Sequence, residues 1–186
     1  MKRIKVLLSL SLLLSFTILS CSTEKITQRD TKKINYLDIE KGSTWNYDGV
    51  LLKEKKNIEI KITQKSDTFA IDNKNQKYIK DQYGYRNDDF YWIKYPLKNN
   101  FTWVNKYKGK IEIATIENVN TTFEFSGEKL KNCMKISYIS TLESGKSILI
   151  RTFCPNIWLV SQELYYENSE GIALKQLSIK LKSFIK

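Results

Sequence analysis

Residues 133–154, CMKISYISTLESGKSILIRTFC, consist of two alternating segments around a polar Glu-Ser-Gly turn. Such a pattern predicts a β-hairpin, because alternation places every second side chain on the same face of a strand. Pairing the two segments across the turn brings Cys133 opposite Cys154, a spacing that suits a cross-strand disulfide. In this register the other face is apolar, with the pairs Met134–Phe153 and Tyr138–Leu149.

The rest of the chain after Tyr36 repeats this pattern of short alternating segments and polar turns. The isoleucines of Ile58-Glu59-Ile60-Lys61-Ile62 share one face, and we expect the same of Ile111, Ile113 and, less regularly, Ile116. The spacing leaves no room for helical crossovers, which excludes parallel βαβ units. The fold class is therefore all-β: an antiparallel meander that forms a strongly curved sheet, an incomplete barrel or a sandwich. The predicted strands are 44–52, 57–64, 68–72, 76–85, 90–95, 102–107, 110–118, 121–125, 133–141, 146–153, 157–166 and 173–184.

The amino terminus has the features of an export signal. Three basic residues precede the apolar run 6–19, whose 14 residues are too few to span a bilayer as a helix. We therefore predict that residues 1–20 are a signal helix. The following motif, Ile18-Leu19-Ser20-Cys21, resembles the lipobox of bacterial lipoproteins. That resemblance implies that Cys21 is joined to a diacylglycerol and that the preceding peptide is removed.

The resemblance also implies a location and a domain organisation. A lipid-modified Cys21 would anchor the protein to a membrane of the cell envelope, and Ser22 in place of Asp favours the outer over the inner membrane in Gram-negative bacteria. Residues 21–35 contain no periodic apolar face, so we expect a flexible tether with a span of roughly 20 Å. A single β-rich domain would then occupy residues 36–186.

The composition restricts the chemistry of this domain. The chain has no histidine, which excludes Ser-His-Asp hydrolysis, Cys-His nucleophiles and histidine-bound zinc. Its net charge of +11 is carried mostly by lysine, whereas arginine is the better reader of phosphate. Together with export, this argues against a nucleic-acid partner. We expect no metal and no cofactor.

Two cysteines remain once Cys21 carries lipid, and the envelope permits their oxidation. A structural disulfide between Cys133 and Cys154 is the preferred interpretation. A redox or metal site is disfavoured, because twenty residues separate the two and histidine is absent. Two unpaired thiols are the remaining alternative.

A weak internal repeat relates two parts of the domain. Segments 36–47 (YLDIEKGSTWNY) and 95–103 (YPLKNNFTW) both place a turn residue two positions before Thr-Trp. Gly42 and Asn100 tolerate positive φ, so each can close a turn that begins a strand with an inward tryptophan. This arrangement resembles a group of poorly characterised bacterial lipoproteins, in which a β-rich domain opens with a Y-x-P-L-x-x-G-x-x-W-x-Y pattern. The resemblance implies a β-rich fold and no established activity.

Aromatic residues flank the turn at Asn87-Asp88-Asp89. Stacked aromatic rings beside carboxylates can bind sugars, and paired carboxylates can hydrolyse a glycosidic bond. The alternative is that these rings are ordinary strand residues of the core and its rim, and that the aspartates are turn residues. The candidate ligand-binding residues are Tyr83, Tyr85, Tyr91 and Trp92.

Three functions from different classes are compatible with these features. The preferred one is a lipid-anchored, non-catalytic structural or interaction module of the envelope. The second is a carrier or chaperone that binds an apolar ligand or a lipoprotein in the curved sheet. An open apolar cavity would favour the carrier, whereas a core filled by Trp45, Trp92 and Trp103 would count against it. The third, a glycan hydrolase, would need converging carboxylates such as Asp88 and Asp89; we predict no catalytic residue.

Overall fold

Twelve antiparallel β-strands make up the computed structural model, which describes residues 34–107 and 109–186. These residues contain no helix. The predicted signal, Cys21 and most of the predicted tether lie outside them. The strands are β1 (Thr44–Leu51), β2 (Glu54–Lys65), β3 (Phe69–Asp72), β4 (Lys77–Asp81), β5 (Gly84–Arg86), β6 (Tyr91–Lys94), β7 (Thr102–Tyr107), β8 (Lys110–Phe125), β9 (Glu128–Leu142), β10 (Gly145–Cys154), β11 (Trp158–Asn168) and β12 (Ala173–Ile185).

The strands form one sheet in the order β6-β5-β4-β3-β2-β1-β12-β11-β10-β9-β8-β7. It consists of two six-stranded meanders, β1–β6 and β7–β12, joined where β1 pairs with β12. The predicted all-β antiparallel meander is thereby confirmed. Its form is a nearly closed, barrel-like sheet, because twelve twisted strands curl instead of extending flat.

The two edge strands, β6 and β7, meet through side chains. The Asn105 amide accepts a hydrogen bond from the backbone N–H of Tyr91 (3.2 Å) and donates one to its carbonyl (3.1 Å). The Trp103 indole N–H donates to the same carbonyl at 3.3 Å. Asn105 is almost fully buried, so its amide replaces part of a backbone ladder at this seam.

The internal repeat is a structural repeat at the start of each meander. Gly42 (φ 99°) and Asn100 (φ 62°) both have positive φ, and β1 and β7 begin two residues later. Their backbone N–H groups donate to equivalent acceptors, the carbonyls of Ile62 on β2 and Ile116 on β8. The tryptophan that follows each turn, Trp45 or Trp103, is buried. The predicted turn and inward tryptophan are confirmed in both copies.

The central hairpin has the predicted register. Thr141 pairs with Lys146, and Met134 pairs with Phe153. Cys133 and Cys154 form a disulfide across the pair, with their Cα atoms 4.2 Å apart. Both cysteines are fully buried although they lie on the face opposite Met134 and Phe153.

Two predicted strand boundaries are wrong for local reasons. The predicted strand 76–85 is divided into β4 and β5, because the Asp81 carboxylate accepts hydrogen bonds from the N–H groups of Tyr83 and Gly84 and closes a turn there. The predicted strands 110–118 and 121–125 are one strand, β8, whose register with β9 shifts three times between Ile116 and Phe123. Bulges let the pairing continue where the alternation in the sequence is interrupted.

The predicted common face is correct for Ile111 and Ile113 and wrong for Ile116. Ile111 and Ile113 point outward and are 57% and 47% exposed, whereas Ile116 is fully buried. Residues 113 and 116 are three apart, and a strand with a period of two places them on opposite faces. Ala114 and Ile116 form the inward face of β8.

Aromatic side chains fill much of the concave side of the sheet. Trp158 lies at its centre, with ring centroids 4.7 Å from Phe153 and 5.4 Å from Trp92. The Tyr138 hydroxyl donates to the carbonyl of Trp92 and so ties β9 to β6. All four tryptophans (Trp45, Trp92, Trp103 and Trp158) are at most 6% exposed.

Candidate functional site

The four aromatic residues proposed as ligand contacts do not meet at one surface. Tyr85 and Trp92 are buried in the core, whereas Tyr83 is 57% exposed at the β4–β5 turn. Tyr91 is partly buried, and its hydroxyl donates to Asp81 at 3.0 Å. These residues are therefore core and rim residues of the sheet in this structure.

The two candidate carboxylates lie in a surface turn. Asp88 forms an exposed ion pair with Lys77 at 2.9 Å. The backbone N–H of Asp89 donates to the Asn87 side chain, so Asn87 rather than either aspartate organises the turn. Across the described residues, no group of three or more His, Cys, Asp or Glu side chains is placed to hold a metal ion.

A cleft opens on the concave side between the two meanders. It consists of two adjoining cavities of about 260 and 130 Å³. The larger cavity is lined on one side by Ile58 and Ile60 of β2, and the smaller one reaches Arg151 of β10. The residues that line both cavities are Gln76, Tyr78, Trp158 and Leu159. Aromatic and aliphatic walls with a few polar groups are typical of sites for small molecules.

A buried carboxylate holds one wall of this cleft. Asp72, at the end of β3, accepts hydrogen bonds from the backbone N–H groups of Lys74 and Gln76, each at 2.8 Å. Its second oxygen accepts the Tyr78 hydroxyl at 2.7 Å. The β3–β4 turn and the Tyr78 ring are thus fixed before any ligand enters.

The tyrosine hydroxyls of the cleft remain neutral and are already bonded. Burial raises the pKa of Tyr47 and of Tyr78, and the neighbouring Asp72 raises that of Tyr78 further. Tyr47 donates to the carbonyl of Leu159 at 2.9 Å. These hydroxyls are therefore structural donors within the wall.

Arg151 brings a positive charge to the cleft. Arg151 lies on the same face of β10 as Phe153, and its partner on the neighbouring strand β11 is Gln162. The guanidinium donates to the Gln162 side chain at 2.7 Å and lies 5.3 Å from the centre of the Tyr138 ring. No ion pair between Arg151 and a carboxylate occurs within the described part of the chain.

A row of apolar side chains crosses the opposite, outward face. Val104 pairs with Ile113, Ile113 with Ile139, and Ile139 with Ile148, so one row crosses β7, β8, β9 and β10. The first three are 52%, 47% and 36% exposed. We call these four residues the outward row.

Lysines accompany the outward row. The next outward pairs along the same strands are Lys106 with Ile111, and Thr141 with Lys146. Lys146 also forms an exposed ion pair with Glu167 at 3.0 Å. The face therefore combines β-branched apolar side chains with two flanking lysines, of which Lys146 has its charge offset by Glu167.

Neither Arg151 nor the outward row was singled out from the sequence. The inward position of Arg151 could have been predicted from the hairpin register. Ile136 lies on the same inward face as Met134 and Tyr138, and Arg151 is its partner on β10. The outward row could not be found in this way, since the register of β7 and β8 with the predicted hairpin was unknown.

Comparisons with known proteins agree on the kind of fold only. No protein-family model and no curated protein sequence matches the chain. One similar crystal structure is that of a predicted lipoprotein from Parabacteroides distasonis, with 11% identity, a TM-score of 0.47, and coverage of 82% of this chain and 99% of the other. Another is a predicted exported protein with a YmcC-like fold from Bacteroides fragilis, with 12% identity, a TM-score of 0.49, and coverage of 82% and 100%. At these values the likeness gives no information about function.

The described residues bear on membrane association in one respect. Residues 34–107 and 109–186 include no helix that is long and apolar enough to cross a membrane. Cys21, the predicted lipid attachment site, lies outside these ranges.

Proposed function

We propose that this protein is a lipid-anchored, non-catalytic interaction module of the cell envelope, more specifically of the outer membrane in a Gram-negative cell. Cys21 carries the anchor, as its lipobox-like context indicates. The buried tryptophans support a role in contact rather than transport, because they occupy the interior that a carrier of large ligands would need.

The outward row is the observation that carries this proposal. Exposed Val104, Ile113 and Ile139 lie side by side on one face, and contiguous exposed apolar surface marks interaction sites. The occupant that fits is an anionic bilayer surface. Lys106 and Lys146 flank the row, and lysines near a membrane attract anionic headgroups.

The predicted tether strengthens this assignment. A flexible segment of about fifteen residues has a span of roughly 20 Å, so an anchored domain stays close to the headgroups. Tethering replaces a bimolecular encounter with an intramolecular one and makes a weak surface contact effective. The outward row would then orient the domain on the membrane that holds it.

The anchor is tested by detergent-phase partitioning. The full chain expressed in bacteria should enter the detergent phase, and Cys21→Ala should remain in the aqueous phase. Equal aqueous partitioning of both proteins would contradict the anchor.

The outward row is tested with a chain that begins at Ser22 and carries no lipid. All twelve strands lie at residues 44–185, so this chain contains the complete sheet. It should float with vesicles that contain phosphatidylglycerol, and Ile113→Ser combined with Ile139→Ser should weaken this binding about tenfold. The control is Ile172→Ser with Leu174→Ser, since these apolar residues beside the β11–β12 turn are even more exposed, at 53% and 58%. Unchanged binding of the first pair, or equal loss in the control, would refute the contact.

A second candidate function, a carrier of an apolar ligand, is favoured by the cleft beside Trp158. Its larger cavity of about 260 Å³ lies just below the usual range of ligand pockets, about 300–1,000 Å³. This volume suits one short chain or a small aromatic molecule and is too small for the lipid of a lipoprotein. The carrier hypothesis is thereby narrowed to small ligands.

A further inference from the structure

We infer that the concave cleft binds a small amphiphile with an apolar body and a carboxylate head, and that Arg151 pairs with the head. This inference specifies the second candidate function and is independent of the anchor and of the outward row. It concerns a site that is lined by residues between 45 and 179 and faces away from the outward surface.

The apolar end of the site lies between the two meanders. Ile58 and Ile60 of β2 line the larger cavity together with Ile179 of β12 and Leu159 of β11. The two isoleucines and Leu159 are only partly buried, so they leave apolar surface that a ligand can cover. Covering such surface favours binding through the hydrophobic effect.

Aromatic rings connect this end to the charged end. Tyr78 and Trp158 line both cavities, and their ring centroids are 6.1 Å apart in an edge-on arrangement. Asp72 fixes the Tyr78 ring through its hydroxyl. The walls are therefore preorganised, which lowers the entropy lost when a ligand binds.

Arg151 sets the charge of the ligand. Its described partners are the neutral Gln162 amide and the ring and hydroxyl of Tyr138, so its positive charge has no anionic partner in the described part of the chain. A guanidinium bonded at Nε keeps N–H groups free for a planar, bidentate contact with a carboxylate. The Gln162 contact also holds the side chain in one orientation.

The other polar groups of the cleft are less suited to this role. Lys74 is a second cation, but it lies exposed on the β3–β4 turn and lines only the larger cavity. Asp72 is acidic, but both of its oxygens already accept hydrogen bonds within the wall. The Tyr47 hydroxyl already donates a hydrogen bond to the carbonyl of Leu159. The Gln76 side-chain amide donates to the carbonyl of Lys77. Arg151 is consequently the cation that the smaller, aromatic cavity offers to an acid.

The test compares decanoate with 1-decanol, which have equal chains and different heads. The chain that begins at Ser22 is titrated with each compound below its aggregation limit, and calorimetry and tryptophan fluorescence are recorded. Decanoate should bind at least tenfold more tightly than decanol, and Trp158 should report both. Absence of decanoate binding, or equal affinity for the two compounds, would overturn the inference.

Variants of Arg151 then test whether this residue pairs with the carboxylate head group. Arg151→Gln should reduce the affinity for decanoate at least tenfold and leave decanol unchanged. The matched control is Arg86→Gln, because Arg86 is paired with Asp81 outside the cleft. Equal loss in both variants, or none in Arg151→Gln, would refute the assignment.

A conservative substitution covers the case in which Arg151→Gln does not fold. Arg151→Lys keeps the charge and loses the planar fork, so the preference for decanoate over decanol should persist at a reduced level. Loss of all preference in a folded Arg151→Lys protein would refute the charge pairing. None of these titrations contains vesicles or the lipid anchor, so their outcome is separate from that of the membrane experiments.

Discussion

Replacing Trp158 tests both the core and an unusual backbone conformation. Trp158 is 6% exposed, has ring contacts with Phe153 and Trp92, and has a φ of 84°, which is rare for a bulky residue. Trp158→Ala removes a large buried side chain and should cost about 3–5 kcal/mol of unfolding free energy. The positive φ remains in this variant, because alanine also has a Cβ atom.

Trp158→Gly should be the more stable of the two truncations. Glycine relieves the left-handed penalty of about 1–2 kcal/mol and loses about 0.5–1 kcal/mol through its greater freedom in the unfolded chain. The difference favours glycine by roughly 0.5–1 kcal/mol. At a strand position with negative φ, the glycine variant is instead the less stable of the two.

Trp92 provides the matched control for this comparison. It is buried like Trp158 and contacts the same cluster, but its φ is not positive. We expect Trp92→Gly to be less stable than Trp92→Ala by about 0.5–1 kcal/mol. Urea unfolding followed by far-ultraviolet circular dichroism measures all four variants. The reasoning is refuted if Trp158→Gly is less stable than Trp158→Ala.

Three further perturbations probe the disulfide, one ion pair and one close backbone approach. Replacing Cys133 and Cys154 by serine should lower the unfolding free energy by up to about 3 kcal/mol; a loss below about 0.5 kcal/mol in urea unfolding would contradict this. Burial opposes ionisation of Asp81, but hydrogen bonds led by the Arg86 guanidinium hold the pKa of its carboxyl below the usual value. Its stabilisation is therefore present at neutral pH and is lost as the pH falls below about 4, through the folded-state pKa. Asp81→Asn should be less stable at pH 7 and lose less stability on acidification; an unchanged pH slope would disprove the assignment. Gly84→Ala should destabilise the protein more than Gly127→Ala. The added Cβ would lie 2.0 Å from a backbone oxygen at Gly84 and would meet nothing within 4 Å at Gly127. Equal losses of thermal stability in the two variants would contradict this close approach.

Most of the fold could be predicted because it depends on local patterns. Alternation along the chain and polar turns indicated the strands, and the hairpin between Cys133 and Cys154 was predicted in its observed register. The errors occurred where a local pattern is ambiguous. The turn at Asp81 depends on hydrogen bonds of a single side chain, and the bulges of β8 let one strand pass through an interrupted alternation.

The candidate site was much less predictable. Tyr83, Tyr85, Tyr91 and Trp92 are close in the sequence, but the alternation of β5 and β6 separates them between core and surface. The cleft instead combines Ile58, Tyr78, Arg151 and Ile179 from four distant strands. Of the four aromatic residues that are close in the sequence, Trp92 alone also lines the cleft, at its smaller cavity.

The sequence by itself determined most of the strands, the register of the central hairpin and the two tryptophan turns, because each follows from a pattern within a short segment. Only the tertiary structure decided which face of each strand is covered, that Asn105 closes the seam to β6, and that Arg151 lies beside an aromatic cleft. These features depend on how strands far apart in the sequence curl around one interior. Curvature and closure arise from the summed twist of twelve strands, which no short segment contains.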